Sequence, residues 1–331
     1  MDLERHLEDL PWLGWGANCY VYEVTPLIVV KVPKLGIEER NQFRKEVEIF
    51  RTLSRYPPCP QLISCFLHTN DGIFLEYMRD ICLSWRIQQN HTRNHETMQV
   101  TKVEKLEPLP LRMKWMNDLS HGVAFLESLG FAHGDLRPEN ILLDRDRLKL
   151  ADFDCTAKLG SEFEACISPY GRILGSEGGV DKGTAGNLGP RTEQFALSSL
   201  YYLINYGFKV YGDRCFGNDP SGKEHGPAVV DLLQKKIFPE LHGDPMIDSI
   251  IKKCWHGEYK TIGELAENTT RLCPSGNGAS DVISSDDFAS KRELCEEFVS
   301  RGILKGLGSK DPRQSGRLVE RRWVSWEFLK A

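Results

Sequence analysis

The stretch His133-Gly134-Asp135-Leu136-Arg137-Pro138-Glu139-Asn140, followed by Ala151-Asp152-Phe153-Asp154, decides how the rest of this chain is read. Asp135 and Asn140 are five residues apart in a loop that follows a helical pattern. Asp152 stands 17 residues beyond Asp135, after short strands at 141–143 and 148–151 around the charged turn Asp144-Arg145-Asp146. That order brings a carboxylate, an amide oxygen and a second carboxylate together. Hard Mg2+ takes oxygen ligands, and a separate carboxylate is needed to orient an attacking hydroxyl, so the string points to phosphoryl transfer. A reading in which Asp135 and Asn140 merely cap loops leaves the rest of the string without a reason.

Upstream, residues 12–31 read as extended structure, with Gly14 and Gly16 between apolar runs and an alternation of Tyr20, Tyr22 and Val24 that turns near Thr25-Pro26. Glycines at 14 and 16 let backbone N–H groups approach phosphates with no Cβ in the way, although two glycines in a turn are more often structural. Lys31 ends the apolar run 27–30. Fifteen residues on, Glu46 lies beside the apolar face Phe43, Val47, Phe50 and Leu53, whose spacings of 4, 3 and 3 predict a helix that Pro57-Pro58 ends. A carboxylate there is placed to hold Lys31 toward phosphates; a solvated lysine and an exposed helical glutamate are the plainer alternatives. Two strands at 62–67 and 73–77 flank the turn signal Asn70-Asp71-Gly72.

Downstream, residues 86–110 are polar and aperiodic and read as a flexible insertion. Met116, Leu119, Val123 and Leu126 predict a long helix stopped by Gly130. Seven glycines between 171 and 189 predict a mobile loop, and 193–206 an apolar, buried helix. Beyond a Pro/Gly/Ser-rich break near 274–285 come a helical stretch around 291–303 and a Trp-containing end.

At these residues the sequence resembles the eukaryotic protein kinase superfamily, especially divergent fungal kinase-like proteins, over roughly residues 10–268. The resemblance implies an α+β, bilobal fold: a small β-sheet lobe with one long helix over 1–80, and a large, mainly helical lobe over 81–268. The large lobe carries the polar insertion 86–110 and an activation loop at 152–190, and a C-terminal extension occupies 269–331. It also implies site roles. Gly14 and Gly16 match the glycine-rich loop, with Cys19 in place of its third glycine. Val21, Val29 and Leu142 match the residues that pack on adenine, Leu75 the gatekeeper, and Glu76 and Met78 the hinge. Lys31 and Glu46 match the strand lysine and its helix partner. Asp135 matches the catalytic base, Arg137 a cation on the γ-phosphate, and Asn140 and Asp152 the metal ligands. His133, Phe153 and Phe50 match an apolar stack, and Thr184 the threonine that bonds the catalytic Asp in Ser/Thr kinases. The implied cofactors are ATP and Mg2+, and the implied partner is a protein substrate.

The pattern is broken in places. Gly134 replaces the arginine that receives a phosphorylated activation loop, so activity is expected not to require that phosphorylation. Asp154 replaces a glycine and adds a carboxylate near the metals. Arg191 replaces a glutamate, the peptide-docking segment is almost absent, and Glu193 is a candidate for the buried Asp that braces the catalytic loop. Three functions stay open at this point: a Ser/Thr protein kinase, a pseudokinase that binds nucleotide and signals by contact, and a small-molecule kinase of aminoglycoside- or choline-kinase type.

Composition sets the outer limits. The 331 residues are 40% hydrophobic and 27% charged, enough for a sizeable core. A net charge of −5 offers no broad cationic surface for nucleic acid or anionic lipid. The apolar runs are all too short to cross a bilayer, so no membrane partner is expected, and the expected compartment is the cytoplasm, with the nucleus open. Ten cysteines lack the spacing of zinc or redox motifs and read as free thiols. Oligomeric state has no signal in the sequence.

Overall fold

The computed structural model describes residues 10–216, 223–273 and 283–307, which divide into two compact units. The first unit contains residues 10–81, 152–154 and 283–307; the second contains 82–151, 155–216 and 223–273.

In the first unit the alternating sequence becomes β1 (Trp12–Trp15), β2 (Cys19–Thr25) and β3 (Ile28–Pro33). Helix α1 (Ile37–Leu53) follows, then β4 (Cys65–His68) and β5 (Ile73–Glu76). The strands form one antiparallel sheet in the order β1-β2-β3-β5-β4. Its register sets Val21 opposite Lys31, Val29 opposite Leu75, Tyr22 opposite Val30 and Val30 opposite Phe74. Opposed residues, and residues two apart, share a face. One face therefore carries Val21, Val29, Lys31 and Leu75, and the other Tyr20, Tyr22, Val30, Val32 and Phe74.

That second face is covered by the chain's own C-terminal region. In helices α8 (Ser285–Ser300) and α9 (Ile303–Leu307), the side chains of Cys295, Phe298, Ile303 and Leu307 are buried in one core with Tyr20, Tyr22, Val30, Phe66 and Phe74. Each large apolar side chain so buried contributes roughly 1.5–3 kcal/mol. Ser284 starts α8, its Oγ accepting the Asp287 N–H at 3.2 Å. A Cβ on Gly72 would come within 2.6 Å of Leu304 Cδ2, so this turn glycine also admits the tail. The division expected at 269 is thus not where the structure divides the chain: residues 283–307 belong to the first unit and give its core Cys295, Phe298, Ile303 and Leu307. Part of that extension, including Arg317, Arg321, Arg322 and the Trp-containing end, lies outside the described residues.

The second unit begins with α2 (Leu83–Gln88), β6 (His91–Arg93) and β7 (Val100–Val103). Next come α3 (Leu109–Ser128), β8 (Phe131–Ala132), β9 (Ile141–Asp144), β10 (Arg147–Leu150) and β11 (Ala157–Lys158). Four helices complete it: α4 (Pro190–Tyr206), α5 (His225–Gln234), α6 (Pro245–His256) and α7 (Ile262–Thr270). Met116, Leu119, Val123 and Leu126 are all buried on α3, as their spacing predicts, and α4 is buried along nearly its whole length. The buried hydroxyls of Ser120, Tyr201 and Thr269 satisfy one another, with Ser120 Oγ 2.6 Å from Tyr201 Oη and 3.0 Å from Thr269 Oγ1.

Two sequence expectations change here. Residues 86–110 are not a flexible insertion: β6 and β7 form a hairpin pinned by Val100 N–H donating to Gly212 O (2.8 Å), Gln99 Nε2 to Asp213 O (2.6 Å) and His91 Nδ1 lying 2.9 Å from Gly207 O. The glycine-rich stretch 171–189 is not a featureless loop. Leu174 and residues 183–184 exchange backbone bonds of 2.8 and 3.0 Å, and Gln234 Nε2 donates to Leu174 O. Gly175 packs so near Gln234 O that a Cβ would stand 2.6 Å from it. None of the ten cysteines is joined in a disulfide, and no helix among the described residues is long and apolar enough to cross a membrane.

Candidate active site

In the first unit, β3 presents Lys31 to a carboxylate cluster. Its Nζ lies 2.6 Å from Glu46 Oε2 of α1 and 2.6 Å from Asp152 Oδ1. The sheet and α1 bury both Lys31 and Glu46, leaving Glu46 only 1% exposed. Burial alone would lower the Lys31 pKa, but the negative charges around it, Asp152 foremost, outweigh burial and hold the ammonium well above its usual range. Burial pushes Glu46 up to about 7; Lys31 opposes that shift, and Asp152 and Asp154 add like charge. Cys19, which fills the third glycine position, is buried, and its thiol is pushed up to about 12, so it stays protonated at neutral pH.

Asp152 has φ +67°, a left-handed conformation that costs a non-glycine residue about 1–2 kcal/mol. The surroundings hold it there. Besides the Lys31 bond, Phe153 is fully buried with its ring centroid 5.3 Å from that of Phe50 of α1, edge to face, and its N–H points to Glu46 Oε1 at 3.4 Å. Asp154 accepts a hydrogen bond from Asn18 Nδ2 at 2.9 Å.

The remaining residues expected in this unit are set by the sheet. Gly14 pairs with Val21, and Gly16 N–H closes the β1–β2 turn onto Cys19 O at 3.0 Å. Leu75 and Glu76 end β5. The Glu76 backbone donates to Ser64 O, and its carboxylate accepts from Ser64 Oγ at 3.0 Å. Met78 is buried.

In the second unit, Asp135, Arg137 and Asn140 share one loop. Asn140 Nδ2 donates to Asp135 O (2.8 Å) and to Asp135 Oδ2 (2.9 Å), and Arg137 Nε lies 3.1 Å from that same oxygen. Asn140 is therefore oriented through its amide nitrogen, which leaves its oxygen as the end with ligand chemistry. His133 is fully buried; its Nδ1 accepts the Asp135 N–H at 3.3 Å, which makes Nε2 the donor to Ala151 O at 3.1 Å. Leu142 lies in β9, paired with Lys149 and bridged to Cys82.

The loop is braced by Glu193 of α4, whose Oε2 accepts the His133 N–H at 2.8 Å and whose Oε1 lies 3.4 Å from the Gly134 nitrogen. Glu193 thus occupies the bracing place that its position in the sequence suggests. Burial pushes its carboxyl up to about 7, the two N–H groups opposing.

Three features of the geometry escape the sequence reading. Gly134 has φ +78°, and a Cβ there would stand 2.5 Å from Cys155 O, so the residue is more than a lost arginine. Asn18 reaches Asp154. Thr184, expected at Asp135, is exposed and donates instead to Asp181 O at 2.8 Å. A glycine where side chains are the rule was the available signal for the first; the other two have none in local sequence.

Comparison with known proteins agrees with this geometry. The family model described as protein kinase domain matches residues 8–172. The tyrosine-protein kinase FRK of Homo sapiens is 26% identical over 270 residues, covering 78% of this chain and 49% of that protein. The cytoplasmic tyrosine-protein kinase BMX of Homo sapiens is 32% identical over 238 residues, 69% of this chain and 31% of that protein. The serine/threonine-protein kinase/endoribonuclease IRE1 of Oryza sativa subsp. japonica is 28% identical over 235 residues, 65% and 26%. The chain spans about a quarter to a half of the length of these relatives. With a five-stranded sheet unit holding a Lys–Glu–Asp cluster and a helical unit holding the Asp135–Asn140 loop, the chain belongs to the eukaryotic protein kinase superfamily.

Proposed function

We propose that the chain binds Mg2+ and ATP and transfers the γ-phosphate to Ser/Thr hydroxyls of protein substrates. The observation that carries this reading is the Lys31 ammonium, held 2.6 Å from both Glu46 and Asp152. A buried cation between two carboxylates is costly to maintain and is poorly explained by stability alone.

Each unit supplies oxygen chemistry that suits a hard cation: the second an oriented amide oxygen on Asn140, the first a carboxylate on Asp152 that keeps 28% of its side chain exposed. When bound, Mg2+ neutralises charge on the β- and γ-phosphates and polarises the group to be transferred. Lys31 and Arg137 balance phosphate charge. Gly14 and Gly16 let the phosphates approach the turn backbone with no Cβ in the way. Val21, Val29 and Leu142 pack on the adenine, Leu75 limits its pocket, and the backbone of Glu76 and Met78 reads its edge. Asp135 orients the acceptor hydroxyl and takes its proton, in a loop kept rigid by Glu193, His133 and Asn140.

One observation favours a second reading, nucleotide binding without transfer: Thr184 is engaged with Asp181. Turnover of ATP with protein, peptide and small-molecule acceptors separates the readings. Asp135→Asn should lower turnover by about 10²–10⁴-fold with nucleotide affinity kept. Wild-type binding of Mg2+ and ATP with no turnover would select the second reading, and phosphorylation of small molecules alone would displace both.

A further inference from the structure

The hydrogen bond from Asn18 Nδ2 to Asp154 Oδ2, 2.9 Å long, joins residues 136 apart, both in the first unit. Asn18 lies in the turn between β1 and β2. The turn is tied to the end of β3 by Lys34, whose N–H donates to Asn18 O (2.9 Å) and whose Nζ donates to Ala17 O (2.8 Å). The Asn18 side chain adds a tie of another kind, to the three-residue segment 152–154. That segment is itself anchored by the Asp152–Lys31 ion pair and by the burial of Phe153 against Phe50. The acceptor exists because residue 154 is an aspartate where the family has glycine.

We propose that Asn18 and Asp154 form a latch that holds the glycine-rich turn on the Asp152–Asp154 segment before nucleotide arrives. Both are positioning residues for the phosphates, a role that rests on the nucleotide-binding reading above. The physical gain is preorganisation. A turn rich in Gly and Ala loses backbone freedom when its N–H groups close on phosphates, at about 1–2 kcal/mol per residue ordered, and a turn already held does not lose it again. An amide donor to a carboxylate is charge-assisted and stronger than a neutral pair. The Asn18 amide also presents positive hydrogens to a third carboxylate standing near Glu46 and Asp152.

The test is a swap. Asn18→Asp sets two carboxylates against each other, Asn18→Ala removes the donor without adding charge, and Asn18→Asp with Asp154→Asn rebuilds the amide–carboxylate bond in reverse. Hydrogen exchange at the amides of residues 16–19 is measured in the full chain without nucleotide. Affinity for a fluorescent ATP analogue is measured with Mg2+ present. Exchange protection and affinity should each fall about tenfold in Asn18→Asp and less in Asn18→Ala, and should return to within about twofold in the double variant. Unchanged protection in both single variants, or a double variant no better protected than Asn18→Asp alone, overturns the latch and leaves nucleotide binding standing. A swap that restores protection in a chain binding no nucleotide overturns the positioning role and the nucleotide-binding reading, and leaves the latch as a conformational device.

Discussion

The two units depart from the family pattern in opposite ways. The first gains a charge, Asp154, and the second loses a side chain, at Gly134. The added carboxylate is met by an amide from a distant part of the sequence, Asn18. The lost side chain is matched by the backbone: Gly134 takes φ +78° and packs where a Cβ would stand 2.5 Å from Cys155 O, and the buried Glu193 carboxylate draws in the adjoining His133 N–H. An added charge can be answered by any donor that tertiary packing delivers. A backbone packed this closely accepts almost no substitution.

Substitutions at four positions would break or sharpen this contrast. The largest loss is expected where the small unit depends on its tail. Phe298→Ala removes a buried ring from the core shared with Tyr22 and Phe74 and should cost about 3–5 kcal/mol in chemical denaturation; a loss below about 1 kcal/mol would return α8 to the status of an appendage. Lys31→Met leaves Glu46 buried without its cation and should cost about 3 kcal/mol or more, with nucleotide affinity lost as well. A variant as stable as the parent would mean that the charge cluster is not the organising element of this unit.

Gly134→Ala tests the other side of the comparison. Strain at positive φ and the clash with Cys155 O should together cost about 2–3 kcal/mol, and Gly134→Arg should do no better although it restores the family's residue. Stability gained by the arginine would show that the loop adapts as freely as the charge cluster does.

The smallest effect concerns pH. Glu193 is raised from 4.5 to about 7, so the folded chain holds a proton there that the unfolded chain releases. Its contribution to stability is complete below about pH 4.5 and declines as pH rises toward about 7. Glu193→Gln cannot titrate, and its Tm should change less than the parent's across that window. Parallel profiles would mean that another group carries the dependence.

Much of the site was legible because its chemistry is written in short spacings. Asp135 and Asn140 sit five apart on one loop, and Glu46 is one residue from Val47 on a helix whose buried face follows from periodicity. The hairpin of β6 and β7 was not legible. Its strands are short and largely polar, so they carry no hydrophobic alternation, and the bonds that fix it run to residues 207–213, more than a hundred positions away. The glycines of 171–189 suggested mobility, whereas Gly175 is there for close backbone approach to α5, which composition does not distinguish from turn chemistry.

The sequence by itself determined the α+β class, the antiparallel strands and long helices, and the pairing of Lys31 with Glu46 and of Asp135 with Asn140, because local periodicity and motif spacing encode them directly. Only the tertiary structure decided that α8 and α9 close the back of the five-stranded sheet, that Asn18 meets Asp154, and that Thr184 turns to Asp181. Each of these joins depends on where packing brings a backbone or side chain. No local pattern records a partner 136 residues away, or a tail carbonyl at Leu307 set against the Tyr22 hydroxyl 285 residues before it.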